Sequence, residues 1–412
     1  MSTAARHDDL RRRNRGLALD AVRRSGQPSR TEIAGLTGLS HSTISAIASD
    51  LLGEGILLEA RGSEGASSRR GRPQVAMALN PDAAAVATIV LSLNALSGEL
   101  VDYSGAVIAR EQRKPATQSM SRDAIVAETV AMARRLTGHR KLAGRRVLRI
   151  GMAIQGVTDA EARRMLWSPI MPANDVPFAD ILEQATGLPA TVENDCNMIA
   201  MALKWRHPER YRDDLIAVLL SHGIGMGLVL RGEVFTGTRS SGVEFGHMIH
   251  RPDGALCRCG RRGCIEAYAG SYAIWRNARQ ANENEPPLAD IADAEMFALA
   301  AAARAAEGPE REAFRKAGEA IGFGLGSLFA LIDPAPVAFV GQGASAFDLI
   351  EPSMIAAIAR TSGGEHASAL SFASEPDDIP LIREGCAFRA LTFVDQQIFA
   401  PGNAPSPGRH VA

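Results

Sequence analysis

The sequence predicts an N-terminal winged helix-turn-helix followed by an α/β region with two related lobes. Two observations support this fold class. Residues 13–60 carry helical periodicity broken by turn signals, and from Ala83 onward the chain alternates between strand and helix patterns. The same patterns divide the chain into a unit at residues 1–80, a second unit at residues 81–400 and a tail at 401–412, which we expect to be disordered.

The composition is that of a globular protein with a basic end. A chain of 412 residues is long enough for two or three domains, and 46% hydrophobic with 22% charged residues excludes a disordered or fibrous protein. The net charge is −1, but residues 1–80 hold twelve arginines against eight acidic residues, a local charge of +4. This asymmetry favours a nucleic-acid partner for the N-terminal unit.

The cysteines and the apolar segments indicate in which cellular compartment the protein is expected. Cys196 and Cys386 resemble reduced, packed thiols, and the other three cysteines share one loop, so we expect a reducing environment. The N-terminus lacks the apolar core of a signal peptide. The apolar stretch around 321–340 is interrupted by glycines and prolines and is not expected to cross a membrane. We therefore expect a cytoplasmic protein without a membrane partner.

Three short helices are predicted at the N-terminus. Residues 14–24 carry an apolar stripe at helical spacing. Ser29, followed three residues later by Glu32, forms a capping box that opens a second helix. A Gly-Leu-Ser turn follows, and Ser40 caps a third helix that continues through Leu52.

The third helix is the reading head of the predicted motif, because the second helix of a helix-turn-helix enters the major groove with its first turn on the base edges. Arg30 is predicted to contact a phosphate. A helical bundle used for protein contacts is the alternative. The short polar residues expected to reach bases or phosphates are Ser40, His41, Ser42, Thr43 and Ser45.

A two-stranded wing is predicted after the helices, with strands at 55–59 and 74–79. Between them lies a Gly/Ser/Arg-rich segment that contains Arg69, Arg70 and Arg72. Arginines on an extended backbone suit insertion into a narrow minor groove. A solvated linker is the alternative for this segment.

The α/β region is predicted to hold two lobes, one starting near Ala84 and one near Leu215. The expected strands are 84–93, 97–103, 106–110, 147–154, 189–193, 215–221, 225–231 and 336–340. The expected helices are 122–136, 176–186, 197–205, 294–306 and 311–331.

A cysteine-rich loop carries the most specific motif in the chain. Three thiolates and one imidazole form a full tetrahedral set for Zn²⁺, and with no position left for water the site would be structural. Gly260 and Gly263 would let the backbone fold tightly around the ion. A chance cluster of reduced cysteines is the alternative. The predicted ligands are His247, Cys257, Cys259 and Cys264.

The Glu-x-Gly-His motif at 244–247 and the Cys-x-Cys-Gly-x-x-Gly-Cys-x-Glu motif at 257–266 resemble the signature of the ROK family (repressors, open reading frames and sugar kinases). The resemblance covers residues 14–400. It implies an actin-like, hexokinase-type ROK domain at 81–400 with a zinc knot at 247–264 beside a sugar pocket. His250 is a rival ligand to His247, but its shorter spacing to Cys257 departs from the family pattern.

The resemblance also assigns a sugar-binding set. His247 would bind zinc through one ring nitrogen and offer the other to a sugar hydroxyl. In Val192-Glu193-Asn194-Asp195 the family's asparagine binds sugar and its aspartate is the general base. The implied ligand-binding residues are Asn194, Asp195, Glu244, His247 and Glu266. The loop at 167–170 departs from the family pattern, in which an asparagine often replaces Ile170.

The phosphate loops differ from those of ROK kinases, whose first strand ends Asp-x-Gly-Gly-Thr. The corresponding residues 89–96 have no aspartate, no glycine pair and no threonine. Residues 223–227 keep their glycines but carry Ile224 in place of threonine, and 341–343 matches only in part. We therefore expect Asp195 to be vestigial and the chain not to be an enzyme.

Together these features predict a sugar-responsive, DNA-binding transcriptional regulator, a repressor whose degenerate kinase domain senses the effector. Its partners would be operator DNA and a sugar or sugar derivative. Palindromic operators favour a homodimer or homotetramer. The alternative is an ATP-dependent sugar kinase carrying a DNA-binding appendage, and a third interpretation is a zinc-dependent scaffold without a ligand.

Overall fold

The computed structural model describes residues 3–60, 75–237, 243–287, 291–364 and 370–400. The helices are α1 (Thr3–Ser25), α2 (Arg30–Thr37), α3 (His41–Gly53), α4 (Arg122–Thr137), α5 (Phe178–Thr186), α6 (Asp195–Arg206), α7 (Pro208–Tyr211), α8 (Glu266–Ala269), α9 (Ser271–Ala278), α10 (Asp293–Ala305), α11 (Pro309–Ile332), α12 (Phe347–Ile358) and α13 (Asp378–Phe393). The strands are β1 (Leu57–Ala60), β2 (Ala76–Leu79), β3 (Ala85–Ser92), β4 (Ala95–Asp102), β5 (Val107–Arg113), β6 (Val147–Ile154), β7 (Val157–Thr158), β8 (Met165–Trp167), β9 (Ala190–Asn194), β10 (Leu215–Leu220), β11 (Ile224–Leu230), β12 (Glu233–Val234), β13 (Val337–Val340) and β14 (Phe372–Glu375).

The N-terminal helices form as the capping signals predict. The backbone N–H of Ser29 donates to the Glu32 carboxylate at 2.7 Å, and the Glu32 N–H donates to the Ser29 hydroxyl at 3.2 Å, which is a complete capping box. Gly38 then ends α2 in the left-handed conformation at φ 70°. Helix α1 begins at Thr3, well before the predicted start at 14, because the preceding alanines and arginines are good helix formers without an apolar stripe to reveal them.

The wing is an antiparallel pair in which Leu57 lies opposite Leu79 and Ala60 opposite Ala76. Its connecting segment, with the predicted DNA contacts Arg69, Arg70 and Arg72, lies outside the described residues, as does the tail at 401–412. The wing packs beside α3, so the described part of the N-terminal unit matches the predicted winged helix-turn-helix.

Two five-stranded sheets share one topology. Their strand orders are β5-β4-β3-β6-β9 and β12-β11-β10-β13-β14. In each, the first hairpin is antiparallel, and two parallel strands extend the sheet from it. Every residue of β6 and β10 is buried, as expected for central strands covered on both faces. This repeated topology confirms the predicted two-lobed α/β fold.

Helices α6 and α13 pack against each other and lie between the lobes, with contacts to strands of both sheets. Helix α6 begins at Asp195, two residues before the predicted start, because the Asn194 side chain accepts from the Asn197 N–H at 3.0 Å and caps it there. Cys196 and Cys386 are buried free thiols in this layer. Similarly, α5 begins at Phe178 and not at Val176, whose backbone pairs with Met165.

The N-terminal unit shares a hydrophobic core with the first lobe, formed by apolar residues of α1, α2, α3, β3, β4 and α13. Within it, the Arg23 guanidinium contacts both oxygens of the Asp395 carboxylate, at 2.7 and 2.9 Å, and the Tyr103 hydroxyl donates to Asp395 at 2.6 Å. Both charged side chains are only 4% exposed. Among the described residues, no helix is long and apolar enough to cross a membrane.

Candidate functional site

Four side chains on the cysteine loop converge on one point. The Cys257 Sγ lies 3.8 Å from His247 Nδ1, and the Cys259 Sγ lies 3.8 Å from the Cys264 Sγ. All four donor atoms lie within 4.8 Å of one another. A tetrahedral zinc with Zn–S bonds of about 2.3 Å separates its ligand atoms by roughly 3.8 Å. The predicted residues therefore form a group that could hold a metal ion.

Without a cation, the surroundings of the cysteines favour the neutral thiols. Burial and then the neighbouring Glu266 raise the pKa of the Cys257 thiol far above its ordinary range. Burial and the adjacent Cys259 raise the pKa of Cys264 to about 11. A bound cation reverses this preference, since it stabilises the thiolates directly. Gly263 permits the tight loop, because a Cβ there would lie 1.7 Å from the Arg251 carbonyl oxygen.

The structure places His247 and not His250 beside the cysteines. His247 directs Nδ1 toward Cys257, while its Nε2 lies 3.8 Å from the Glu244 carboxylate. The His250 ring instead packs on Tyr268, with ring centroids 5.0 Å apart, and on Phe323. One ring nitrogen of His247 thus faces the candidate metal group, and the other faces the cleft between the lobes.

Asp195 lies on the cleft side of that histidine, at the first position of α6. Its carboxylate is 5% exposed and accepts from the Cys196 N–H at 2.9 Å and from the Asn194 side-chain amide at 3.2 Å. Burial, with a smaller contribution from Asp378, raises the pKa of Asp195 to about 7. The Asn194 side chain also bonds elsewhere in the protein: it donates to the Gly156 carbonyl at 2.8 Å, and its oxygen caps α6.

The two glutamates differ in how much of each carboxylate remains available. The Glu244 side chain is half exposed beside His247. Glu266 is 6% exposed and accepts from the Ile224 N–H at 3.2 Å, while its second oxygen lies 3.4 Å from the Tyr272 hydroxyl. The sequence suggested that Glu266 was free for a ligand, but in the structure it ties the cysteine loop to β11.

A cavity of about 80 Å³ lies among the five predicted sugar-binding residues, all of which line it. That volume is below the roughly 300–1,000 Å³ of typical small-molecule pockets, so a sugar requires the neighbouring cleft or a wider separation of the lobes. Other residues also line it, and among them prediction from sequence assigned no ligand role to Gln155, Trp167 and Arg258. Only Trp167 carried a signal, because its loop departs from the family pattern.

The turn between β3 and β4 occupies the place of the first phosphate loop. The Leu93 N–H donates to the Gln155 side-chain oxygen at 3.4 Å, and the Asn94 N–H donates to the Thr117 hydroxyl at 3.1 Å. Asn94 has φ 52°, so the turn is tight. The backbone donors that could cradle a phosphate are therefore already bonded to the protein's own side chains.

The glycines of the second loop have packing roles. A Cβ at Gly225 would lie 2.4 Å from the Cys196 sulfur, and one at Gly227 would lie 2.1 Å from the Cys196 carbonyl oxygen. A Cβ at Gly223 would meet the Glu266 carboxylate at 2.5 Å. These glycines let β11 approach α6 and the cysteine loop, which explains their presence without a phosphate.

Five of the predicted DNA-contacting residues lie together at the start of α3: Ser40, His41, Ser42, Thr43 and Ser45. His41, Ser42 and Ser45 are exposed, and Thr43 is half-buried. The Ser40 hydroxyl accepts from the Thr43 N–H at 3.1 Å, so this residue is primarily a helix cap. Arg30 lies 3.7 Å from Glu59 on the wing, a solvent-exposed pair that a phosphate could replace.

Comparison with known proteins identifies the family. The ROK family model matches residues 94–378, more than half of the chain. The chain belongs to the ROK family. A xylose repressor from Caldicellulosiruptor bescii is 25% identical over 347 residues, which cover 83% of this chain and 86% of that protein. A glucokinase from Thermotoga maritima is 38% identical over 132 residues, but these are only 32% of this ROK protein and 42% of the kinase.

A solved structure extends the likeness to the N-terminal unit. The crystal structure of a ROK family transcriptional regulator, a homologue of the E. coli Mlc protein, superposes with a TM-score of 0.76. It covers 96% of this chain and 98% of its own, at 21% identity. At that identity the likeness shows a shared fold, including the helix-turn-helix and both lobes.

Proposed function

We propose that this ROK protein is a sugar-responsive transcriptional repressor. In this proposal a DNA-binding unit at residues 1–80 reads an operator, and a former kinase domain at 81–400 binds the effector. The observation that carries the proposal is the turn between β3 and β4, whose amides are bonded within the chain, in a protein that keeps both a helix-turn-helix and a sugar-kinase fold. The repressor relative matches most of the chain, whereas the kinase relative matches a third.

The effector would be held between the lobes by side chains of different chemistry. Asp195 and Glu244 offer carboxylate oxygens to hydroxyls, and the Nε2 of His247 faces the same cleft. Asn194 and Glu266 already hydrogen-bond to other groups of the protein, so each could offer a ligand only its remaining hydrogen-bonding capacity. Trp167 adds an aromatic ring whose centroid lies 6.4 Å from that of the His247 ring, and such a ring is suited to packing on a sugar face.

We propose that the four-residue metal group, His247 with Cys257, Cys259 and Cys264, holds a structural Zn²⁺. When bound, the ion would fix the loop that carries Glu266 and orient the ring of His247. The effector itself would be recognised by protein side chains such as Asp195, Glu244 and His247, and not by the ion. All four ligands come from protein, so the group leaves no open position for catalysis.

Repression requires the two units to communicate. Helix α1 is fixed to the first lobe by the shared core, and α6 carries Asp195 at one end and packs on α13. A ligand that draws the lobes together would shift α6 and α13, and with them the winged helix-turn-helix. A homodimer or homotetramer would place two reading heads on a palindromic operator.

A sugar kinase with a DNA-binding appendage is the second candidate, and one observation favours it. The pKa of Asp195 near 7 is what a general base requires at neutral pH. The discriminating experiment measures operator binding by fluorescence anisotropy across a sugar panel, in parallel with sugar-dependent ADP release. A repressor gives a sugar-dependent change in DNA affinity without turnover. ADP release that disappears in Asp195→Asn would establish the kinase instead.

A further inference from the structure

A second cavity adjoins the sugar pocket on the side of the former phosphate loops. Its volume is about 420 Å³, and it lies between the turn after β3, the end of β10 and the start of α13. The two cavities share Gln155, Asp195, Leu219 and Ser221. A substituent on a sugar hydroxyl beside Asp195 would therefore have this second cavity next to it.

The walls of the second cavity are acidic. Carboxylates enter from three elements: Asp195 from α6, Asp293 from α10, and Asp377 with Asp378 from the start of α13. Asp378 contributes to the raised pKa of Asp195, which places the two carboxylates within electrostatic reach of each other. Among the described lining residues there is no lysine or arginine, and His222 is the basic side chain, already engaged within the protein.

Three backbone donors at the cavity wall are already bonded within the chain. The two turn amides after β3 are bonded to Gln155 and Thr117, as described above. At the N-terminus of α13 the Ile379 N–H donates to the Asp378 carboxylate at 2.9 Å. Phosphates bind proteins through cations, free loop amides or helix N-termini. At these three amides the chain has placed its own acceptors, and the charged side chains that line the cavity from α10 and α13 are carboxylates.

The guanidinium of Arg258 does not alter this balance. It lines the sugar pocket but not the second cavity. It donates to the His222 carbonyl at 3.2 Å and lies over the Tyr272 ring at 4.8 Å.

We infer that the effector is an unphosphorylated sugar, and that Asp377, Asp378 and Asp293 make the site reject sugar phosphates and nucleotides. The inference rests on the proposed function, since it concerns the ligand of the same sugar pocket. Like charges placed together penalise binding, and each tenfold loss of affinity corresponds to about 1.4 kcal/mol. A neutral or amine-bearing substituent meets no such penalty.

Isothermal titration with matched sugar pairs tests the inference. Each free sugar that binds is compared with its own phosphate ester at the primary hydroxyl and with its amino analogue. We expect the phosphate to bind at least about tenfold more weakly than the free sugar, because its charge meets the carboxylates of the second cavity. An equal or tighter Kd for the phosphate would overturn the inference.

Charge-neutralising variants show whether these carboxylates cause the discrimination. The double variant Asp377→Asn with Asp378→Asn keeps the hydrogen-bond acceptors and should narrow the phosphate-to-free Kd ratio at least about threefold, a modest effect because Asp377 is exposed and screened. The control double variant Glu128→Gln with Glu161→Gln removes the same charge from exposed positions that do not line either cavity. It should leave the phosphate-to-free Kd ratio unchanged. Equal ratios in both double variants would contradict the role of the aspartates.

A sugar-independent arm separates this inference from the proposed function. If no sugar in the panel binds, the proposed effector role fails. Titration with Mg²⁺–ATP and with tripolyphosphate then still tests whether the second cavity rejects phosphate groups. We expect no saturable binding at millimolar concentration to the unmodified chain, and saturable binding in the cleft would refute the inference.

Discussion

At the scale of single residues, Asp195 illustrates how burial sets the chemistry of a carboxylate. The neighbouring Asn194 is committed to capping α6, and Asp195 is left as the buried, acidic end of the motif. Its raised pKa means that the folded chain holds the proton more tightly than the unfolded chain does. Glu266 shows the complementary case, because protein donors satisfy much of its carboxylate before any ligand arrives.

The pKa of Asp195 predicts a pH-dependent stability. Its contribution favours the folded state while the group is protonated in it, and is lost as pH rises from the unfolded pKa of about 3.9 to the folded pKa of about 7. Asp195→Asn should therefore be more stable than the parent at pH 8 by an amount on the order of a few kcal/mol relative to the same comparison at pH 4. Urea denaturation across this range measures it. Asp123→Asn, at an exposed site, should show no such trend.

The cysteine loop predicts a metal content. Purified protein should contain about one zinc per chain, and Cys257→Ser should lose it, because three ligands hold zinc more weakly than four. Plasma mass spectrometry gives the metal content, and a thermal melt reports the loosened loop. Cys386→Ala is the control, since that buried thiol lies away from the group and its loss should leave the zinc in place. Folded parent protein without zinc would refute the assignment.

At the scale of elements, the first turn of α3 and the wing differ in what they can do. The helix presents short polar side chains on one exposed face, and its start is fixed by the Ser40 cap. The wing strands hold their register, while the arginines between them lie outside the described residues. The helix is therefore suited to sequence reading, and we keep the arginines as a prediction about general DNA affinity.

Substitutions in the helix should affect one class of DNA. His41→Ala or Thr43→Ala should cost about 1–3 kcal/mol on the operator, because each removes a side chain expected at a base edge. Random DNA should bind the variants about as well as it binds the parent. Anisotropy titrations with the two DNAs measure the difference. An equal loss on both would mean that the reading head lies elsewhere.

Substitutions in the wing should affect all DNA. Arg70→Ala with Arg72→Ala should weaken binding to any sequence and flatten its salt dependence, because these cations displace condensed counterions. A greater loss on A/T-rich flanks would indicate insertion into a narrow minor groove. The control is Arg113→Ala with Lys114→Ala, which removes two exposed cations from the end of β5. An unchanged salt slope in the wing variant would refute the contact.

At the scale of the whole molecule, the N-terminal unit packs directly against the first lobe and shares a hydrophobic core with it. The shared core and the buried contacts of Arg23 with Asp395 and Tyr103 join α1 to the π-helical segment Val394–Phe399 that follows α13. A second buried arginine, Arg15, donates to the Glu54 carboxylate and to the Phe399 carbonyl, which ties the end of α3 to the same π-helical segment. We therefore propose that a displacement of α13 would also move the predicted reading head.

This junction predicts a strong effect of one buried charge. Arg23→Met leaves Asp395 buried without its cation and should cost about 3–5 kcal/mol of unfolding free energy. It should also weaken the effect of sugar on operator affinity. Arg24→Met removes the next arginine, whose pair with Asp20 is exposed, and should change stability little. Combining Arg23→Met with Asp395→Leu should recover part of the loss, since no charge then stays unpaired. Equal denaturation midpoints for the two single variants would contradict the role of the junction.

The sequence by itself determined the N-terminal helices, the longer strands and helices of the two lobes, and the residues of the metal group. Local signals were sufficient for these: a capping box needs only Ser29 and Glu32, and the cysteine spacing limits the loop to one compact knot. The two-lobed fold followed from strand and helix periodicity together with the ROK motif. The early start of α1 was missed, because a polar helix carries no apolar stripe.

Only the tertiary structure decided what the predicted residues can still bind. It bonded the amides of the β3–β4 turn to Thr117 and Gln155, gave Glu266 a protein donor, and set α13 so that its aspartates face Asp195. Such outcomes depend on contacts between residues far apart in the chain, and the ordinary residue types involved carry no local signal of them. Burial likewise moved the pKa of Asp195, since desolvation is a property of the packed molecule and not of the motif.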